Sequence, residues 1–290
     1  MRIYGYSIII SEVIIDFHTH VFPPGIAERR SKYLGRDATF SLVYAEPKAK
    51  LATVEDLIRD MDDNGIDRSV ILNLGWTSHE LCVETNDYIL ESVTRFPKRL
   101  LGFCMVQPLA GEEAVREVER CARNGARGIG EMRPDVQGFG FENPVVKAMI
   151  DIVIDHGLIL LSHVSEPVGH QYFGKGKVTP DVIYPLIINF RDLKLVCAHW
   201  GGGLPFYALM PEVGETFKNV YFDTAATPFL YKPEIFKHAA EIIGAAKILF
   251  GSDYPLLSPK RIIDQLKSVR LSARDTAGIL GGNARKLLSL

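Results

Sequence analysis

The feature that most constrains this chain is a rhythm: eight short apolar runs recur along it, each followed by a stretch with helical character. The runs are VIIDFH (13–18), RSVILN (68–73), RLLGFCMV (99–106), ARGIGEM (126–132), LILLSH (158–163), LKLVCAH (193–199), NVYFDT (219–224) and KILFGSD (247–253). Several are continuously apolar rather than alternating, as parallel strands covered on both faces must be. The segments between them start and stop with helix signals. Thr53 with Asp56 makes a capping-box pattern ahead of Leu57, Ile58 and Met61, and Asn64-Gly65 supplies a left-handed stop. Gly111 precedes a helix carrying Val115, Val118 and Ala122 that ends at Asn124-Gly125. Thr179-Pro180 and Ser258-Pro259 each set a cap residue before a proline at the first helical position.

Eight such units predict an α/β protein of the closed (β/α)8, or TIM-barrel, kind; an open α/β sheet is the other arrangement the pattern allows. No GxGxxG follows a strand and no P-loop occurs, which counts against the nucleotide-binding versions of this rhythm. A barrel with a modest insertion needs roughly 250 to 300 residues. The 290 residues are therefore read as one domain spanning 1–290. Residues 21–50 break the rhythm, being rich in Pro, Gly and charge with little periodicity. They are read as a lid inserted after strand 1, because a long loop in a compact domain is usually functional. Ahead of the first strand lie two short apolar runs broken by Ser11 and Glu12, too short to span a bilayer and without a small-residue cleavage site. A covering strand at the barrel base, or an upstream extension, is expected there.

A formal net charge of −2 and the lack of a basic run argue against a nucleic-acid partner. No membrane association is expected, and the partner is read as a small-molecule substrate. Cys82, Cys104, Cys121 and Cys197 are scattered without a CxxC, which predicts reduced, buried thiols and a cytoplasmic, reducing setting. A homodimer is entertained only as the commonest assembly.

Chemistry gathers at one end of the expected barrel. His18, His20, Glu131, His163, His199, Asp223 and Asp253 each fall at or just past the C-terminal end of a strand, where barrel active sites are built. Alternate strand residues share a face, so His18 and His20 can aim two imidazoles at one cation. His163 and Asp253 complete a nitrogen-and-carboxylate set suited to one divalent metal, with zinc expected first and manganese or iron also admitted. His199 precedes Trp200 and Gly201-Gly202-Gly203, a turn expected to let substrate approach an acid–base imidazole. Trp200 and Arg133 are candidate substrate-binding residues. Glu131 has three readings: ligand to a second metal, carboxylate behind a ligand, or partner of Arg133. Asp16 is read as a supporting strand-end residue, and Asp223 as either orienting His199 or capping strand seven.

The stretches DFHTH, GIGEMRP, LSHVSEP, CAHWGGGLPF, VYFDTAA, LFGSDYP and GGNARKLL run in order from about residue 14 to the C-terminus. Together they resemble the amidohydrolase superfamily, in the branch of TIM-barrel metal-dependent hydrolases that includes decarboxylases similar to aminocarboxymuconate semialdehyde decarboxylase. The resemblance implies metal ligands at His18, His20, His163 and Asp253, a catalytic histidine at His199, and a substrate-side cover at 21–50. No lysine ends the fourth strand, so the carbamylated lysine of two-metal relatives is not implied and a single ion is.

The leading functional expectation is a metal-dependent hydrolase of a small amide, ester or lactone, with Asp253 taking a proton from metal-activated water and His199 meeting the oxyanion. The alternative is a metal-dependent non-oxidative decarboxylase of an unsaturated or aromatic acid, in which Arg133 holds the carboxylate and His199 or Asp253 delivers a proton to carbon. A non-catalytic or metal-free barrel is the second alternative.

Overall fold

The computed structural model describes residues 13–290. The expected covering strand, at residues 1–12, lies outside the described residues. Eight parallel strands follow one another in chain order around a single sheet: β1 (Ile15–His20), β2 (Arg68–Leu72), β3 (Leu100–Cys104), β4 (Gly128–Met132), β5 (Ile159–Ser162), β6 (Lys194–Cys197), β7 (Val220–Asp223) and β8 (Ile248–Leu249). Seven of the expected runs contain their strands, and β1 runs two residues past the end of the first, to His20. The last is much shorter than KILFGSD because the chain leaves strand geometry at Phe250 and bends across to β1. There Phe17 N–H donates to Phe250 O (2.8 Å), Asp253 N–H to His18 O (2.9 Å) and His20 N–H to Tyr254 O (2.7 Å). These three bonds join the first strand to the last and make the sheet a barrel.

The inside of the barrel is packed. Ile15 and Phe17 meet Val70, Leu72, Leu101, Phe103, Ile159, Leu161, Val196 and Leu249, with Phe17 and Phe103 edge to face at 5.7 Å. A larger apolar layer fills the space between strands and outer helices, which is why the strands read as continuous rather than alternating apolar runs. The helix signals act where expected. Thr53 and Asp56 make a reciprocal capping box on Val54–Asn64, and Gly65 ends that helix at φ 68°. Thr179 and Ser258 occupy N-cap positions before proline, although neither side chain caps a backbone N–H. All four cysteines are buried free thiols. No helix among the described residues is long and apolar enough to cross a membrane.

Residues 21–50 depart from the expected loop. They form three short helices, Pro24–Glu28, Arg30–Leu34 and Ala38–Tyr44, each too short to print a helical period on the sequence. Asp37 fastens this segment at both ends of its side chain. Oδ1 accepts from Phe40 N–H (2.9 Å), capping the third helix, while Oδ2 accepts from the N–H and hydroxyl of Thr77 (2.7 Å each) after β2. Phe22, Phe40 and Tyr44 pack on one another, and Phe40 stacks on Trp76 at 5.7 Å. The segment is a packed wall of the barrel mouth.

Candidate active site

Two strands break their own alternation where they enter the site. The pairing of β1 with β2 shifts between Asp16 and Thr19, and that of β4 with β5 shifts between Ile129 and Met132. Such irregularities re-aim side chains. Here they let Phe17 point into the packed barrel while His18 and His20 converge above it, and they bring Glu131 toward the same point.

That convergence is tight. His18 Nε2 and His20 Nε2 stand 3.0 Å apart. Asp253 Oδ1 is 3.4 Å from His20 Nε2 and 3.7 Å from His18 Nε2, and Glu131 Oε2 lies 3.8 and 3.9 Å from the same two nitrogens. His18, His20 and Asp253 form one group whose donor atoms all lie within 4.8 Å of one another; His18, Glu131 and His199 form a second. Two ring nitrogens facing each other beside two carboxylates is an arrangement a divalent cation stabilises, and the donor set of imidazole nitrogen and carboxylate oxygen fits one.

Asp223 supports this centre from behind. Its Oδ2 is 2.9 Å from His18 Nδ1, and its Oδ1 accepts from the backbone N–H of His199 (2.9 Å) and of Ala225 (3.0 Å). It thus orients the His18 ring and the His199 backbone, where the sequence allowed either an orienting role toward His199 or a strand cap. Asp16 accepts from the N–H of His18 and of Ser252, tying the β1 turn to the β8 turn. Glu131 is not the partner of Arg133. Its Oε1 lies 2.8 Å from His163 Nδ1 and 3.3 Å from His199 Nε2, inside the cluster.

Three of the expected site residues are engaged by other protein groups. His163 lies outside both donor groups but beside them, its Nδ1 2.8 Å from Glu131 Oε1 and its Nε2 2.9 Å from the Ser165 hydroxyl. Arg133 is held by Asp135 through Nε and NH2 (3.3 and 3.2 Å) and donates through NH1 to Gly174 O, so its guanidinium is largely committed. Trp200 is fully buried with its indole N–H on Thr227 (2.8 Å) and its ring against Phe236, out of reach of a substrate. The glycines after it serve backbone and packing: a Cβ on Gly202, at φ 58°, would meet Ser165 O at 2.3 Å. Ser165 and Asp135, which position His163 and Arg133, went unmarked in the sequence; each sits two residues beyond the side chain it holds, a spacing that could have pointed to them.

Burial sets the electrostatics against charge, and neighbours decide the outcome. On His18 the burial penalty is overridden by the charge and hydrogen bond of Asp223, raising its pKa to about 10. His199 is likewise opposed by burial but lifted to about 9 by its contact with Glu131 and the charge of Asp253. Asp253 moves the other way: burial would raise it, but the His20 contact and the charges of His18 and His199 bring it down to about 2. Burial and then Arg133 lower His163 to about 4. Neighbouring charge thus pulls His199 up and Asp253 down, each toward its charged form.

The amidohydrolase family model matches residues 15–290. Among similar proteins, 2-amino-3-carboxymuconate-6-semialdehyde decarboxylase of Dictyostelium discoideum is 24% identical over 336 aligned residues, spanning 95% of this chain and 91% of that one. Gamma-resorcylate decarboxylase of Polaromonas sp. strain JS666 is 24% identical over 304, spanning 85% and 91%. The crystal structure of 5-carboxyvanillate decarboxylase from Novosphingobium aromaticivorans, complexed with manganese and 4-hydroxy-3-methoxy-5-nitrobenzoic acid, superposes with a TM-score of 0.79 at 18% identity over 96% of each chain. All three are decarboxylases. This corrects the leading expectation of a hydrolase in favour of its alternative, loss of carbon dioxide from an unsaturated or aromatic acid.

Proposed function

This chain belongs to the amidohydrolase family, and from that premise we propose that it is a metal-dependent non-oxidative decarboxylase of a small aromatic or unsaturated carboxylic acid. What carries the reading is the pair of decarboxylase relatives, which align with 95% and 85% of this chain. Within the site, the contact with Glu131 and the charge of Asp253 raise the affinity of His199 for a proton. Decarboxylation needs an acid that can protonate carbon, and a buried imidazolium provides one.

His18, His20 and Asp253 would hold the cation, with Glu131 and His163 as the adjoining donors on β4 and just past β5. A cation held there would anchor and orient the negatively charged acid. Manganese is favoured over zinc and iron, since the structurally similar 5-carboxyvanillate decarboxylase is complexed with it and this donor set leaves room for further oxygen ligands. His199, held between Glu131 and the Ala225 carbonyl, delivers its proton to the carbon that bears the carboxylate. The bond to that carboxylate then breaks, its electron pair stays with the substrate carbon, and carbon dioxide leaves. His199 is reprotonated from solvent. Asp223 holds the His199 backbone and the His18 ring in register throughout.

The test is to incubate the manganese-loaded protein with γ-resorcylate in D2O. Carbon dioxide and resorcinol with one deuterium at the former carboxylate position are expected. Turnover of lactones or amides with no carbon dioxide from any aromatic acid would overturn the reading.

A further inference from the structure

Between β5 and the helix Pro180–Asn189 the chain makes a loop that the mechanism above does not use. Its ends are joined, because Ser165 N–H donates to Val178 O (2.7 Å). Residues 166–177 thus leave and return at one point, as a compact surface loop does. Apolar burial does little to hold them: Val168 and Phe173 are 76% and 70% exposed. Hydrogen bonds do the holding. Lys175 Nζ staples the loop internally, donating to the carbonyls of Val168 (2.9 Å) and His170 (3.1 Å). Docking falls to the stretch from Gly174 to Lys177, whose backbone meets side chains from the ends of β4 and β5. Gly174 O accepts from Arg133 NH1 (3.0 Å), Gly176 N–H donates to Ser165 Oγ (2.9 Å) and Lys177 N–H donates to Asp135 Oδ2 (2.9 Å).

One of these clamps reaches the donor cluster. The Ser165 hydroxyl that accepts from Gly176 also stands 2.9 Å from His163 Nε2, and the other ring nitrogen, Nδ1, lies 2.8 Å from Glu131 Oε1. Glu131 belongs to one of the two donor groups. Polar contacts therefore run unbroken from the loop backbone through Ser165 and the His163 ring to the cluster. The approach is also close. A Cβ on Gly176 would meet Asp135 Oδ2 at 2.7 Å, Arg133 NH2 at 2.8 Å and His163 Cδ2 at 3.2 Å, so this backbone seat suits glycine. Ser165 is fully buried, which keeps bulk water from replacing either of its partners. A loop held by a few hydrogen bonds opens locally at modest cost, and its opening takes Gly176 away from the hydroxyl that fixes the ring. A cation beside Glu131 favours the state in which the His163 ring is in place. Whatever binds one of two states better shifts the population toward it, and the state reached shifts the affinity by the same factor.

We infer that Ser165 is a positioning residue that couples the loop 166–177 to the cation site: a bound cation holds the loop down, and the docked loop raises the affinity for the cation. The inference rests on the decarboxylase reading only for the presence of a cation at that site.

The test follows hydrogen exchange of the loop by mass spectrometry on peptides spanning 166–178, with and without saturating manganese, in the natural chain and in Ser165→Ala. Calorimetry gives the manganese affinity of each. In the natural chain manganese should slow exchange of the loop about tenfold, within the usual range of coupling between two sites. Ser165→Ala should lose that slowing and bind manganese about 10–100-fold more weakly, as removal of a hydrogen-bond partner behind a metal site does, with its far-UV circular dichroism unchanged. Lys175→Ala tests the same link from the exposed staple. It should speed loop exchange and weaken manganese about fivefold, although removing a positive charge by itself favours a cation. Loop exchange that ignores manganese, equal slowing in Ser165→Ala, unchanged manganese affinity in either variant, or no manganese binding by the natural chain would overturn the inference. Carbon dioxide release separates the two claims: a manganese-coupled loop with no release from any acid sinks the decarboxylase reading alone, and release with a loop indifferent to manganese sinks this inference alone.

Discussion

Two arcs of the barrel mouth differ in kind. The ends of β1 and of β4 through β8 carry His18, His20, Glu131, His163, His199, Asp223 and Asp253, whereas β2 and β3 end in Asn73-Leu74 and Met105-Val106. The second arc is polar without being charged. Trp76 donates to Asn73 (3.2 Å), Gln137 donates to the carbonyls of Val106 (2.9 Å) and Trp76 (3.2 Å), and Gln107 donates to those of Thr77 and Gln137 (3.1 Å each). Its buried amides are satisfied inside the protein and ask nothing of a ligand. The charged arc is the opposite case. Its groups are buried against their own solvation and held ionised only by one another, an arrangement that is a poor way to stabilise a fold and a good way to prepare a reaction. The difference teaches which half of the mouth shapes the cavity and which half acts in it.

That division can be broken by substitution. The largest effect is expected from the His18→Ala, Asp253→Ala double variant, which should lose its manganese by elemental analysis and carbon dioxide release with it, while far-UV circular dichroism still reports a barrel. Full metal content in this variant would mean that the charged arc is not the binding site. Next, His199→Asn should keep the metal and lower kcat by about 10²–10⁴. In the natural chain the same residue sets the pH profile. The group works protonated, so the rate should hold up to about pH 9 and fall roughly tenfold per unit above it, read from kcat in a buffer series. A profile that rises with pH would mean that His199 works as a base. The smallest effect tests the neutral arc: Gln137→Ala leaves buried carbonyls unpaired and should cost about 1–3 kcal/mol in urea unfolding, with metal content unchanged. Loss of metal there would show that the arcs are not separable.

Much of this was written into the sequence. Buried parallel strands demand continuous apolar runs, so β1 to β8 could be located, and residues at strand ends in a barrel meet at one face, so His18, His20, His199 and Asp253 could be grouped. What could not be read depends on contacts far apart in the chain or too short to have a period. Asp223 reaches His18 across 205 positions. The helices of residues 24–44 are one or two turns each. The shifts in β1 and β4 that turn Glu131 into the site leave no mark on residue type, and the bond from Arg133 to Gly174 O appears only once the β5 loop folds over it. The Trp200 indole looked like a ligand contact because Trp200 adjoins His199, but the left-handed turn there swings it into the helix layer.

That turn has a bearing on engineering. His199 and Asp253 sit at φ 56° and 68°, a region that disfavours any side chain by roughly 1–2 kcal/mol relative to glycine. With Trp200, Ala226 and Ser289 they are the described non-glycine residues at positive φ, so the two positions with the most to do are among those where glycine would relax the backbone. Selection of this chain for heat resistance alone would favour glycine at both and enrich tougher, inert barrels, so any stabilised library must be scored for turnover at every round.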